Sequence, residues 1–171
     1  MKLIIFLLIF NSLCFATIDK IDSFEADFTQ SITDDKDTAL TYYGHIIASK
    51  PQNALWIYKK PIMKKIYINE FKVTIIEPEL EQVIVRKISS SFDIFKLIQH
   101  AKKIGKNKYL TTYKSTDFKI TTKNNLIESI SYTDEFSNKI KIIFQKQKQN
   151  IDIDKKTFFP NIPTEYDIIR D

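Results

Sequence analysis

From Phe24 onward, apolar side chains fall at alternate positions. Phe24, Ala26, Phe28 and Ile32 lie on one side of the run and Glu25, Asp27 and Thr29 on the other, the period of a half-buried strand. A polar turn, Asp34-Asp35-Lys36-Asp37, leads to a second run, Leu40 to Ser49, which contains Gly44. Lys50-Pro51-Gln52-Asn53 turns the chain into a third, Ala54 to Lys59, around Trp56, and Pro61 closes the unit. Three strands on short turns predict an antiparallel meander. Alternation continues through Ile62 to Ile68, Lys72 to Glu77 and Gln82 to Ile88, with turns at Asn69-Glu70 and Pro78-Glu79.

The period then changes. Ser89-Ser90-Ser91 offers N-cap hydroxyls, and residues 92 to 104 carry apolar side chains at 94, 95, 98 and 101, which predicts a helix. Asp93 in its first turn and Lys102-Lys103 in its last match the helix dipole, and Gly105 is a natural stop. Thr17 to Asp22 has room for one or two helical turns. Strands resume over Lys108 to Lys114, Phe118 to Thr122, Leu126 to Thr133 and Lys139 to Gln147, and the tail from Thr157 to Ile169 reads as irregular with a short final strand. The expected fold is mainly β with one or two helices. About ten strands form one large antiparallel sheet, which must curl or split, and the helix at 92 to 104 is the element available to cover its apolar face.

Composition adds bounds. The chain has 171 residues, 43% hydrophobic and 27% charged, which suits one globular domain, and its 2 glycines are few for a nucleotide-binding α/β fold. Lys2, the apolar run Leu3 to Phe10 and Cys14-Phe15-Ala16 form a signal-peptide pattern, with cleavage expected after Ala16. The run is too short for a bilayer-spanning anchor. Asn11-Ser12-Leu13 is the wrong context for lipidation of Cys14. The expected mature protein is a single exported domain, residues 17–171, without cysteine; 25 basic residues face 21 acidic ones, a balance of +4.

Candidate chemistry is sparse. His45 and His100 are far apart in sequence with no cysteine nearby, so no metal site is expected, and no phosphate-binding or nucleophile motif implies a cofactor or an enzyme. Asp152 with Asp154 and Glu77 with Glu79 read as solvated surface. Lysines scattered through strands and turns argue against nucleic acid. Lys96, Lys102 and Lys103 beside the helix's apolar stripe would suit an acidic membrane surface, but a core helix is the simpler reading. Phe24, Phe28, Trp56, Phe92, Phe95, Phe118 and Phe144 all fall on predicted inward faces. They make either a filled core or a cavity for acyl chains, and both bury the same residues.

Several motifs in order resemble the outer-membrane lipoprotein carrier protein family, LolA, of Gram-negative bacteria. They are Ser23-Phe24-x-Ala26-x-Phe28-x-Gln30, Gly44, Lys50-Pro51-x-x-x-Leu55-Trp56-x-Tyr58-x-x-Pro61, Val73 with Pro78 and Glu81-Gln82-Val83, and the tail from Phe158 through Pro163 to Asp167-Ile168-Ile169. The resemblance implies an incomplete antiparallel β-barrel closed by helices over an apolar cavity. It implies a periplasmic chaperone that takes acylated lipoproteins from an inner-membrane ABC transporter to an outer-membrane acceptor, acting as a monomer. Phe24, Phe28, Trp56, Phe92, Phe95 and Ile98 would line the cavity or its lid. The family carries Arg before the proline of the third turn to hold the lid shut; here that position is Lys50, a single point donor in place of a fork. The N-terminal helix is shortened, and Thr164-Glu165 replaces a glycine after the tail proline. The other reading open to these residues is a periplasmic interaction or sensor domain with a filled core and no lipid cargo.

Overall fold

The structure, a computed structural model, describes residues 18–87 and 93–170; the expected signal peptide, the Ser89 to Ser91 caps and Phe92 lie outside them. The chain first builds β1 (Ser23–Thr33), β2 (Ala39–Ser49), β3 (Asn53–Lys60), β4 (Lys64–Asn69), β5 (Lys72–Glu77) and β6 (Gln82–Lys87). Helix α1 (Ile94–Gln99) follows, then β7 (Lys102–Gly105), β8 (Lys108–Tyr113), β9 (Thr116–Lys123), β10 (Leu126–Thr133), β11 (Lys139–Gln149) and β12 (Asp167–Arg170). All twelve strands join one sheet, in the order β12-β6-β5-β4-β3-β2-β1-β11-β10-β9-β8-β7. β1 is thus central, with β2 on one side and β11 on the other.

The sheet is open, since β12 and β7 are its two edges. It is nevertheless strongly curled. α1 shares a crevice with Trp56 of β3 and Ile68 of β4, and it also packs on β8. Those flanks are seven strand spacings apart, about 34 Å if the sheet were flat. A six-residue helix is only about 9 Å long, so it meets both flanks because the sheet wraps around it.

Three expectations need correction. The helix expected over 92 to 104 is confined to Ile94–Gln99, and its N-cap is Asp93. Lys102 to Gly105 instead forms β7, paired with β8 as a hairpin, with Asn107 in the left-handed region (φ 58°) at the turn. Gly105 does not adopt positive φ, so it is a strand end and not a helix stop. The sheet is also not wholly antiparallel, because β12 runs parallel to β6 with Ile168 beside Val83. The tail reaches that edge by crossing the outer face of the sheet, where Phe158, Ile153 and Ile162 pack on Leu55, Tyr67, Ile76 and Val83.

Two hairpins repeat one device. Asp34 Oδ1 accepts from the backbone N–H of Lys36 (2.9 Å) and Thr38 (2.7 Å) between β1 and β2. Asp134 Oδ1 accepts from Phe136 and Asn138 N–H, both at 2.9 Å, between β10 and β11. In each case the residue three further on, Asp37 or Ser137, takes positive φ. The Asn138 amide, with those backbone donors, holds the Asp134 carboxyl below the usual carboxylate range.

Candidate functional site

The inner face of the sheet carries the aromatic residues that alternation placed inward. Phe24, Phe28, Trp56, Phe95 and Ile98 fall in one buried cluster, with exposures of 1, 2, 8, 4 and 3%. Phe28 is its hub. Its ring meets Trp56 edge-on at 5.2 Å and Tyr58 at 5.1 Å, while Phe24 stands against Phe144 at 5.1 Å. Gly44 lies opposite Phe28 across β1 and β2. A Cβ there would sit 2.3 Å from the Ile57 carbonyl oxygen and 2.5 Å from Phe28 Cζ, so glycine alone lets the ring lie flat over the strand.

α1 closes this cluster. Ile94, Phe95, Leu97 and Ile98 are all buried, so four of its six residues face inward. So short a helix is not stable alone in water; it persists because that face is covered. Asp93, itself buried, accepts two hydrogen bonds at Oδ1, from Phe95 N–H (2.9 Å) and Lys96 N–H (3.3 Å). Asp93→Ala removes both hydrogen bonds and is expected to lower stability by about 1–2 kcal/mol, read as a lower denaturation midpoint. Asp93→Asn should retain most of the cap. Between α1 and β3 the remaining crevice is only about 10 Å³, room for about one water. In this conformation side chains, not free space, fill the inner face there.

Lys50 Nζ lies 2.7 Å from Asp22 Oδ1, and Lys50 N–H donates to the Asp22 carbonyl at 2.9 Å. Asp22 follows Ile18 and Ile21, which belong to the same cluster as α1, and the turn Ile18–Lys20 packs against the helix. The contact recorded for Lys50 therefore reaches α1 through the N-terminal segment.

A polar node inside the apolar face was not singled out by periodicity. Tyr58 donates from its hydroxyl to Gln30 Oε1 at 2.9 Å. Burial, followed by the nearby phenols of Tyr132 and Tyr42, pushes Tyr58 well above its ordinary value. Lys64 Nζ sits over the Tyr58 ring at 4.7 Å and the Tyr42 ring at 5.5 Å. The signal was available: Gln30 continues the inward parity of Phe24, Ala26 and Phe28, which predicts a buried polar group in need of a partner.

His45 lies on the opposite face. Its Nδ1 is 2.9 Å from Asp27 Oδ1 and its Nε2 3.3 Å from Glu25 Oε1. Hydrogen bonds from His45 and then Lys146 hold the Asp27 carboxyl below its ordinary value. His100 ends α1, with Nδ1 2.8 Å from the Lys96 carbonyl. The two histidines are not brought together, and among the described residues no group of three or more His, Cys, Asp or Glu side chains is placed to hold a metal ion.

The family model for the outer membrane lipoprotein carrier protein LolA matches residues 19–161. An outer-membrane lipoprotein carrier protein of Campylobacter jejuni is 37% identical over 169 residues, covering 99% of each chain. One of Wolinella succinogenes is 29% identical over 171 residues, also covering 99% of each. Among solved structures, an uncharacterized conserved protein of Thermus thermophilus aligns with a TM-score of 0.56 at 8% identity, over 90% of this chain and 93% of that one. A LolA superfamily protein of Nitrosomonas europaea aligns with a TM-score of 0.50 at 10% identity, over 84% and 94%. These structural likenesses concern the fold alone. The match across nearly the whole described chain, with relatives of the same name over their full length, places this protein in the LolA family of outer-membrane lipoprotein carriers.

Proposed function

We propose that the chain is a periplasmic chaperone that holds the acyl chains of lipoproteins between α1 and the inner face of the sheet. It takes its cargo from an inner-membrane ABC transporter and delivers it to an outer-membrane acceptor. The observation that carries this reading is the shape of the closure: one two-turn helix plugs the apolar face with Ile94, Phe95, Leu97 and Ile98. Burying such side chains is worth about 1.5–3 kcal/mol each, so α1 holds itself down with at most about 6–12 kcal/mol. About eight to fifteen acyl methylenes, at about 0.8 kcal/mol each, bury as much. Exchange of the helix for about one acyl chain is then nearly balanced, so a chain can be held and still be released. In this account Phe24, Phe28, Trp56, Phe95 and Ile98 line the cavity or its lid, and the Lys50–Asp22 pair biases closure by bracing the N-terminal segment against α1.

The filled inner face favours a second reading, an interaction domain without lipid cargo. Trp56, the only tryptophan, separates the two. With residues 17–171 and a triacylated lipopeptide, carriage predicts a saturable change in Trp56 fluorescence that the unacylated peptide does not produce. No change with either, together with an unshifted melting temperature, would favour the filled-core domain.

A further inference from the structure

The outer face of the sheet is covered unequally. Over β3 to β6 the tail packs on it and touches the start of β1, where the Ser23 hydroxyl donates to the Ile151 carbonyl, whereas the far ends of β1, β11, β10 and β9 border an open depression. At one end of these strands the charges neutralise one another, with Asp27 and Glu25 paired to His45, Lys146 and Lys148. At the other end they do not. Lys119, Lys139 and Lys141 line a depression of about 880 Å³, and among the described residues none of their three ammonium groups has an ion pair or hydrogen bond.

Register builds this floor. Lys141 pairs with Ser31 on one side and Ser131 on the other, and Ser131 pairs with Lys119, giving one row across four strands. Lys139 lies two residues from Lys141, between Thr33 and Thr133. Two residues along a strand is about 6.8 Å, which is also the spacing of alternate side chains in any extended chain laid alongside. Phe136, 76% exposed, shares the Asp134 to Asn138 turn with Glu135, which borders the depression.

We infer that this groove docks an extended, acid-rich segment of a partner protein. Alternate carboxylates of such a segment match Lys139 and Lys141, the free hydroxyls take its backbone, and Phe136 offers an apolar anchor of the kind interfaces favour. Asp117, Asp134 and Glu135 border the depression as well as Lys114, so the uncompensated positive charge is confined to the lysine rows of the floor, which suits a single narrow chain better than a planar anionic membrane. The lysine row lies on the face opposite Phe95 and Trp56, while Tyr132 and Ile140 at the edge of the depression belong to the inner cluster.

The test uses a fluorescein-labelled Glu-Thr repeat peptide and anisotropy at low and physiological salt. K119E/K139E/K141E is compared with K59E/K72E/K87E, which makes the same charge change on β3, β5 and β6. The groove variant should lose about tenfold or more in affinity, F136A should lose less, and the control variant should bind like wild type. Absence of wild-type binding, or equal loss in both triple variants, would overturn the inference. Tighter binding to phosphatidylglycerol vesicles than to the peptide, abolished by the same three substitutions, would assign the face to lipid and overturn it as well.

Discussion

Phe95→Glu is expected to abolish lipopeptide binding while the twelve strands remain folded. Phe95 is 4% exposed at the centre of the inward face of α1. An ionised carboxylate there has no partner among its apolar neighbours, and burying it costs several kcal/mol. That is a large part of what holds so short a helix down, so α1 leaves the sheet. Acyl chains laid on the inner face would then be uncovered on one side and would meet a charge where they need a methylene. The strand ladders do not depend on α1: β1 keeps its full register with β2 and β11. Far-ultraviolet circular dichroism should therefore keep its β signature while the Trp56 titration goes flat. Wild-type lipopeptide affinity in this variant would remove α1 from the binding site.

Gly44→Ala carries the second large effect, on stability. The added methyl would lie 2.3 Å from the Ile57 carbonyl oxygen and 2.5 Å from the Phe28 ring. The ring can retreat only against Trp56 and Tyr58, and the carbonyl belongs to a paired strand. Overpacking of this kind costs about 1–3 kcal/mol, equivalent to a fall in Tm of roughly 2–12 °C for a chain of this length. A double-mutant cycle locates the strain. Adding Phe28→Leu should recover part of the loss, since the ring contact goes and the carbonyl contact stays. An unchanged Tm for Gly44→Ala would mean that the ring does not lie on the glycine in solution.

Strand alternation was the most legible layer of this sequence, because each strand buries one face and must repeat with period two. The inward sets of β1 and β11, Phe24-Ala26-Phe28 and Ile140-Ile142-Phe144, are buried as the pattern requires. Lys102 to Gly105 misled for a local reason. Lysines after an apolar helical stripe look like a charged last turn, whereas Asn107, two residues past Gly105, makes the tight turn of a hairpin. The start of α1 was displaced because three serines compete as caps with a buried aspartate, and only tertiary packing distinguishes them. The parallel β12 was hidden because strand direction depends on the route of the tail, and Phe158 buries itself under the outer face of β3 and β4 to set that route. At the candidate site, Phe24, Phe28 and Trp56 could be read from strand parity and Phe95 and Ile98 from helical spacing. The Gln30–Tyr58 bond joins strands 28 residues apart, a pairing that no local pattern reveals.

The central place of β1 has a consequence for the order in which the protein forms. β1 is the first strand along the chain, yet one of its two edges waits for β11, more than a hundred residues later. A chain that emerges from its N-terminus can build the β1–β6 meander at once, but Phe24 and Phe28 then remain on an unfinished sheet until β8 to β11 arrive. Such distant pairing slows folding and leaves a strand edge open to other chains. The interval between emergence of β1 and emergence of β11 is therefore when this protein is most exposed to misassociation, and substitutions that weaken β11 should reduce yield before they reduce the stability of the finished fold.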